Sequence, residues 1–245
     1  MELPAETLRD ACVARRSNLA ARLGGVTAVI PAGRPVPRNY PANPHWPFRA
    51  SSHFLYLVGA SIEDAVLVVH RGESTLCLPQ ATAEDALWHG APPSMSHLAH
   101  GLGLGVAPLA ELPALLKGRT VGALPPPDAQ GQAALEALGP RAADAQVADA
   151  IIDLRLRHDA AAVGGLERAA EATVAAHRVG MAATRPGIPA WQVVGAMMAD
   201  LAHRGMGTSY PPIVSPRGEV LHNHAHHDVL AAGDLLLADV GAETR

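Results

Sequence analysis

The residues best able to do chemistry gather in the closing run from Ser209 to Arg245 of this 245-residue chain. Tyr210 stands in Ser209-Tyr210-Pro211-Pro212-Ile213-Val214, four histidines follow at His222, His224, His226 and His227, and Asp239 lies in Leu235-Leu236-Leu237-Ala238-Asp239-Val240-Gly241. A strand so apolar reads as buried, which aims Asp239 into protein. A bare carboxylate there costs on the order of several kcal/mol, so it must be neutralised, paired, bound to a metal, or satisfied by backbone N–H groups at the turn that Gly241 marks. Tyr210 either orients that carboxylate through its hydroxyl or packs beside Pro211 and Pro212. For the histidines, alternation along a strand puts His222, His224 and His226 on one face, a cluster suited to a borderline cation such as zinc. The alternative is a solvated loop in which one of them matters. His222 follows Val220-Leu221 and is the one expected inside, where an imidazole hydrogen-bonds or transfers a proton near neutral pH.

Two further stretches invite a chemical reading. Trp88, in Ala83-Glu84-Asp85-Ala86-Leu87-Trp88-His89-Gly90, is either a buried anchor or an interface residue in a chain poor in aromatics. Gly101-Leu102-Gly103-Leu104-Gly105-Val106 has the look of a phosphate-binding glycine loop, but Val106 stands where a third Gly is needed, and the run reads as a flexible turn.

The elements that must position these residues follow from composition and periodicity. A 49% hydrophobic, 17% charged chain is globular, and with aromatics at 3% its core is built from Ala, Leu and Val. Its length suits two modest domains. The net charge of −4, with Lys117 the sole lysine, leaves no basic stripe, which argues against nucleic acid and anionic membranes as partners. Cys12 and Cys77 form no CxxC pair and read as unbridged thiols of a reducing compartment. Met1 to Glu6 carries acids and no apolar leader, and no run approaches the ~18 apolar residues of a membrane span, so the expected location is the cytoplasm.

In chain order, Leu8, Cys12, Leu19 and Leu23 share one face of a helix over 4–23 that Gly24-Gly25 stops, and Val26 to Ile30 is a strand. Pro31 to Pro47 is too rich in Pro for a helix or inner strand. Asp64 to His70 and Thr75 to Leu78 form a hairpin about Arg71-Gly72-Glu73-Ser74, and Val121 to Leu124 is a further strand, followed by a helix over 129–138. The character changes near Ala150, where the domain boundary is placed. Beyond it a long helix over 166–183 sets Leu166, Ala170, Val174, His177 and Met181 on one side, and a second, opened by Pro189, runs through Trp191, Val194, Met198 and Leu201 to Gly205.

Taken in order, these motifs resemble the Xaa-Pro aminopeptidases and prolidases, relatives of creatinase and methionine aminopeptidase. Phe48-Arg49-Ala50-Ser51-Ser52-His53-Phe54-Leu55-Tyr56-Leu57-Val58-Gly59 resembles the family's N-domain signature, in which an Arg and a polar turn precede an aromatic strand ending in Gly. The Trp88 segment resembles the one whose Trp reaches a neighbouring subunit's active site. Leu154-Arg155 resembles the linker into the catalytic domain, Ala169 to Gly187 the helix ending in Arg-Pro-Gly, and Tyr210 to Val214 the Tyr-x-x-Ile-Val strand. Leu221-His222 resembles the substrate-side His motif, and Leu237 to Glu243 the strand with the first metal-bridging Asp.

The resemblance implies an α/β N-terminal domain with a mixed sheet over 1–150, then an incomplete α+β pita-bread catalytic domain over 151–245. It implies Asp239 as a metal ligand, His222 as the catalytic residue that stabilises developing charge, and Tyr210 and Trp88 as substrate-binding residues. It further implies two divalent ions (Mn, Co or Zn), Pro-containing peptides as substrates and a homodimer. The family's chemistry is attack by a metal-bridged hydroxide on the carbonyl before Pro. In the family a second Asp follows soon after the first, and a His and two Glu come much later; of these ligands this sequence holds only Asp239. The chain as given is therefore expected to be catalytically incomplete, with metal binding by this chain left open and a sheet edge exposed. Asn223 stands where the family often has Tyr, and Ala190 where Glu commonly follows Pro-Gly. Two other readings compete: a metal-free creatinase-like C–N hydrolase using His222, and a non-catalytic peptidase-like binding module.

Overall fold

The computed structural model describes residues 3–37, 48–126, 128–139 and 141–244, so most of the expected Pro-rich loop lies outside the described residues. The chain divides into two compact units, Met1–His158 and Asp159–Arg245.

The first unit opens with α1 (Glu6–Leu23), which ends where Gly24 turns left-handed at φ 57°. After it come β1 (Thr27–Pro31), α2 (Ser52–Val58), β2 (Val66–His70), β3 (Glu73–Leu78), α3 (Ala83–His89), α4 (Met95–Leu102) and β4 (Gly105–Pro108). A 3-10 turn leads to α5 (Leu112–Leu116), β5 (Val121–Ala123), α6 (Ala129–Glu136) and α7 (Asp144–Arg155). The sheet order is β4-β3-β2-β1-β5, with β1 and β3 each pairing antiparallel with β2 and parallel with β5 and β4 respectively. It is thus a mixed sheet. Strand alternation sends Ala28, Ile30, Leu67, Val69 and Leu76 into one apolar cluster and Val29, Val68 and Cys77 into another. The first cluster takes residues of α1, α2 and α7, and the second takes Leu112, Leu116 and Leu135, so both faces are covered by helices.

Three expectations for this unit are corrected. The aromatic segment before Gly59 is a helix, not a strand: the Ser51 hydroxyl accepts from Phe54 N–H as N-cap, Gly59 closes the helix at φ 77°, and Phe54, Leu57 and Val58 fall on one buried face at helical spacing. The Gly101 to Val106 run is no flexible turn, because Gly103 is the left-handed C-cap of α4 and β4 starts at Gly105, paired with Thr75. Trp88 is no buried anchor, being 73% exposed on a helix with no buried residue.

Arg16 was not singled out by the sequence. Only 2% exposed, its guanidinium donates to the carbonyls of Leu57 (2.7 Å), Leu102 (3.0 Å) and Gly103 (2.7 Å). These are end carbonyls of α2 and α4, left without partners in their own helices and lying at the negative ends of two helix dipoles. Burial pushes its pKa down from the usual arginine value, and the three carbonyls hold the cation in place.

The second unit comprises α8 (Ala160–Ala183), α9 (Ala190–His203), β6 (Gly207–Thr208), β7 (Ile213–Ser215), β8 (Leu237–Asp239) and β9 (Ala242–Glu243). Asp159 caps α8, its carboxylate accepting from Ala162 N–H. The helical face expected to carry large apolar residues is not the buried one: Leu166, Val174 and Met181 are exposed, while Ala172, Ala176 and Gly180 pack inward. Close approach explains the choice, since a Cβ on Gly180 would meet Met197 Sδ at 2.8 Å. On α9 the pattern splits: Val194 and Leu201 are buried, and Trp191 and Met198 are exposed. Among the described residues no helix is long and apolar enough to cross a membrane.

Candidate functional site

Two short antiparallel ladders build the site. β6 pairs with β9, Thr208 opposite Ala242, and β7 pairs with β8, Ile213 opposite Asp239. The ladders are separated by Ser209 to Pro212 on one strand and Val240-Gly241 on the other. Pro211 and Pro212 have no N–H to give, so pairing lapses there and Tyr210 is released to turn its ring across the gap. Its hydroxyl donates to Asp239 Oδ1. This hydrogen bond, with the carboxylate's charge and some desolvation behind it, holds the Tyr210 phenol above its usual pKa, so at neutral pH it is a neutral donor. The pairing of tyrosine with carboxylate offered by the sequence is therefore made.

The environment of Asp239 differs from expectation. β8 pairs with β7 alone among the described residues, and Asp239 is exposed rather than aimed into protein. The apolar run Leu235 to Leu237 lies largely open as well, with Leu235 88% exposed. Hydrophobicity marked the strand correctly but could not say which surface covers it.

The histidines lie in a loop of turns over 216–228, not on a strand. His226 Nε2 donates to the Pro212 carbonyl at 3.0 Å, and His224 Nδ1 lies 3.4 Å from the same oxygen. A nitrogen that donates to a carbonyl carries a proton and cannot ligate a metal through that atom. His222, expected inside, is exposed on the turn, and among the described residues no hydrogen bond joins it to Tyr210 or Asp239. The inward residue is its neighbour Asn223, whose Nδ2 donates to Ser215 Oγ at 2.9 Å and whose Oδ1 accepts from Ala225 N–H. Arg217 Nε reaches Asp228 at 3.1 Å across the same loop. The clue was a polar residue between two histidines at the position where the resembling family often has Tyr. Trp88, the remaining expected site residue, belongs to the first unit and projects beside Leu87 from α3, which a Thr82–Asp85 capping box holds. The Asp85 carboxyl is kept below its usual pKa by the Thr82 N–H and hydroxyl.

Among the described residues no group of three or more His, Cys, Asp or Glu is arranged to hold a metal ion. One carboxylate and a neutral phenol do not fit a pair of divalent ions.

Residues 12–123 match the aminopeptidase P N-terminal domain and residues 164–245 match metallopeptidase family M24. The chain is 29% identical over 269 residues to Xaa-Pro aminopeptidase 2 of Streptomyces coelicolor, a match covering 99% of this chain and 55% of that protein. It is 28% identical to Xaa-Pro aminopeptidase 1 of the same organism, covering 94% of this chain and 51% of the relative. The chain thus spans about half the length of these curated relatives. Among solved structures it superposes on Pseudomonas aeruginosa aminopeptidase PepP with a TM-score of 0.85 at 22% identity, over 99% of this chain and 60% of that one. On the low-pH form of Escherichia coli aminopeptidase P the TM-score is 0.84 at 23% identity, over 96% and 59%.

Proposed function

We propose that this chain is a member of the Xaa-Pro aminopeptidase family and that it supplies the N-terminal domain and the opening part of the catalytic domain of a divalent-metal-dependent peptidase, a reading supported by its two family matches and its Xaa-Pro aminopeptidase relatives. The reaction is removal of the N-terminal residue before proline. Such bonds need a dedicated site, because proline offers no N–H to bind and restricts the residue that precedes it. The observation that carries the reading is the Tyr210–Asp239 contact between two ladders, in a region matching a metallopeptidase family. Tyr210 donates to one carboxylate oxygen of Asp239, which is itself exposed, a placement that supports its service as one ligand of a larger metal site. One solved relative is described as a zinc-substituted E. coli aminopeptidase P in complex with product. Manganese, cobalt and zinc all suit a carboxylate-rich site. In this reading His222 lies on the substrate side, Trp88 contacts substrate from a homodimer partner, and the protein works in the cytoplasm.

The test is to read the gene past the Arg245 codon and assay the encoded protein on an Xaa-Pro peptide with added manganese, beside Asp239→Ala. The expected result is downstream Asp, His and two Glu codons, stoichiometric metal, and turnover reduced about 1,000-fold or more in the variant. Metal-independent turnover would move the protein to the creatinase-like C–N hydrolases. A gene without those ligands, and a product without metal or turnover, would leave a peptidase-like binding module.

A further inference from the structure

We propose that Thr173 and His177, one turn apart on α8, are positioning residues for the Asp239–Tyr210 pair, clamping the backbone on either side of Gly241. This deepens the reading of Asp239 as a metal-binding carboxylate and takes its significance from it, but its geometry stands alone. His177 Nε2 lies 3.0 Å from the Val240 carbonyl, and Thr173 Oγ1 accepts from Ala242 N–H at 2.9 Å. A carbonyl only accepts, so His177 must carry its proton on Nε2. From the other side the Gly241 carbonyl accepts from both Ser209 N–H (2.9 Å) and Ser209 O–H (3.1 Å).

The three residues that follow Asp239 are therefore each held through a backbone polar group of their own, two by side chains of α8 and one by Ser209 on the strand that presents Tyr210. Gly241 makes this possible, since a Cβ there would meet Ser209 Oγ at 2.8 Å and the Tyr210 hydroxyl at 3.2 Å. Thr173 and His177 are half-buried on a helix whose inward face is otherwise Ala172, Ala176 and Gly180. Packing alone calls for small apolar residues on that face. The polar groups stand where the chain leaves β8 and where its next ladder begins. Because Asp239 is exposed, with the Tyr210 hydroxyl the side-chain contact that orients it, its direction depends on where this backbone is fixed.

The test uses NMR on the 245-residue chain. In the wild-type protein, long-range 15N spectra should show His177 as the Nε2–H tautomer, and the Ala242 amide should be protected from exchange. Thr173→Val and His177→Leu remove the polar contacts at similar size. Each should speed Ala242 amide exchange by about five- to tenfold and move the Tyr210 ring Cζ signal toward its position in Asp239→Ala. Thr173→Ser and His177→Gln keep an acceptor and a donor, and should hold both signals at wild-type values. An Nδ1–H tautomer, an unprotected Ala242 amide, or a wild-type Tyr210 signal in both apolar variants would overturn the proposal. Should the apolar variants fail to fold, the wild-type spectra and the two conservative variants decide it. No readout involves metal or turnover, so the metal assay of Asp239→Ala can fail while the clamp stands, and the reverse.

Discussion

The two units solve the burial problem differently. In the first, a five-stranded sheet has helices on both faces, and Phe54, Leu57, Leu67 and Leu76 are wholly enclosed. In the second, two ladders of two or three residues lean on a pair of helices, and twelve large apolar side chains are exposed among the described residues against seven in a first unit nearly twice as long. A closed core fixes side chains by packing from all sides. An open one cannot, and the second unit instead holds the backbone just after its carboxylate-bearing strand by hydrogen bonds with the side chains of Thr173, His177 and Ser209. Stability should therefore be concentrated in the first unit and positional precision in a few polar contacts of the second.

The strongest way to break this contrast is Phe54→Ala. Its ring is fully buried, and truncation should cost the first unit about 3–5 kcal/mol, read by amide exchange resolved across the chain. The second unit's amides should keep their protection. A loss spread evenly over both would show one cooperative structure where two are inferred.

The next effect depends on pH. Burial first, and Glu111 second, push the Cys77 thiol up to about 11 from a reference value of 9.0. The folded first unit thus keeps its proton through a window in which the unfolded chain loses it. Stability from this group is complete below the unfolded value and declines as pH rises from about 9 towards 11. Cys77→Ala should flatten that alkaline decline in urea titrations of the first unit while leaving the second unchanged. Cys77 should also resist thiol reagents at pH 8 until the protein unfolds.

A smaller effect belongs to the second unit. Gly241→Ala places a methyl against Ser209 Oγ, a contact that must open for the chain to accept it. The cost should be about 1–3 kcal/mol, confined to the β6–β9 and β7–β8 ladders and seen as faster exchange of Ser209 and Ala242 amides. Unchanged exchange there would mean that the gap between the ladders is looser than its distances indicate.

How much was legible follows the same division. Helix α1, strand β1 and the existence of the hairpin follow from local signals, a glycine stop and β-branched runs, but the turn expected over Arg71 to Ser74 is tighter, two residues with φ of 47° and 87°, because Glu73 already pairs with His70. The Tyr210–Asp239 pair was one of the options the sequence left open, beside packing of Tyr210 on the prolines and backbone satisfaction of Asp239, and the structure chooses it. Helix α2 was misread since contiguous apolar residues fit a buried strand and a short buried helix alike, and the deciding cap, Ser51, is a single residue. Arg16 was invisible because charge predicts exposure unless its acceptors are known, and these come from distant helix ends. On α8 the large-residue stripe was a sound reading of periodicity that assigned the wrong face, because the space beside α9 admits only small residues. Asp239 was misplaced for a related reason: strand hydrophobicity reports a preference for cover, not the presence of it.

That distinction gives the smallest and sharpest prediction. If Leu235 is as open in solution as its 88% exposure says, Leu235→Ser removes apolar surface from water and leaves no cavity. Stability should then change by no more than about 0.5 kcal/mol in either direction, whereas a comparable truncation at fully buried Leu67 in the first unit should cost about 2–5 kcal/mol. Because exposed leucines promote association, Leu235→Ser should also lower self-association in size-exclusion chromatography at high concentration. A loss above about 2 kcal/mol at Leu235 would mean that this side chain is covered in solution, since only cavity formation or a stranded polar group costs so much. The second unit would then be a closed structure, with Asp239, four residues beyond Leu235 at the end of β8, covered along with it.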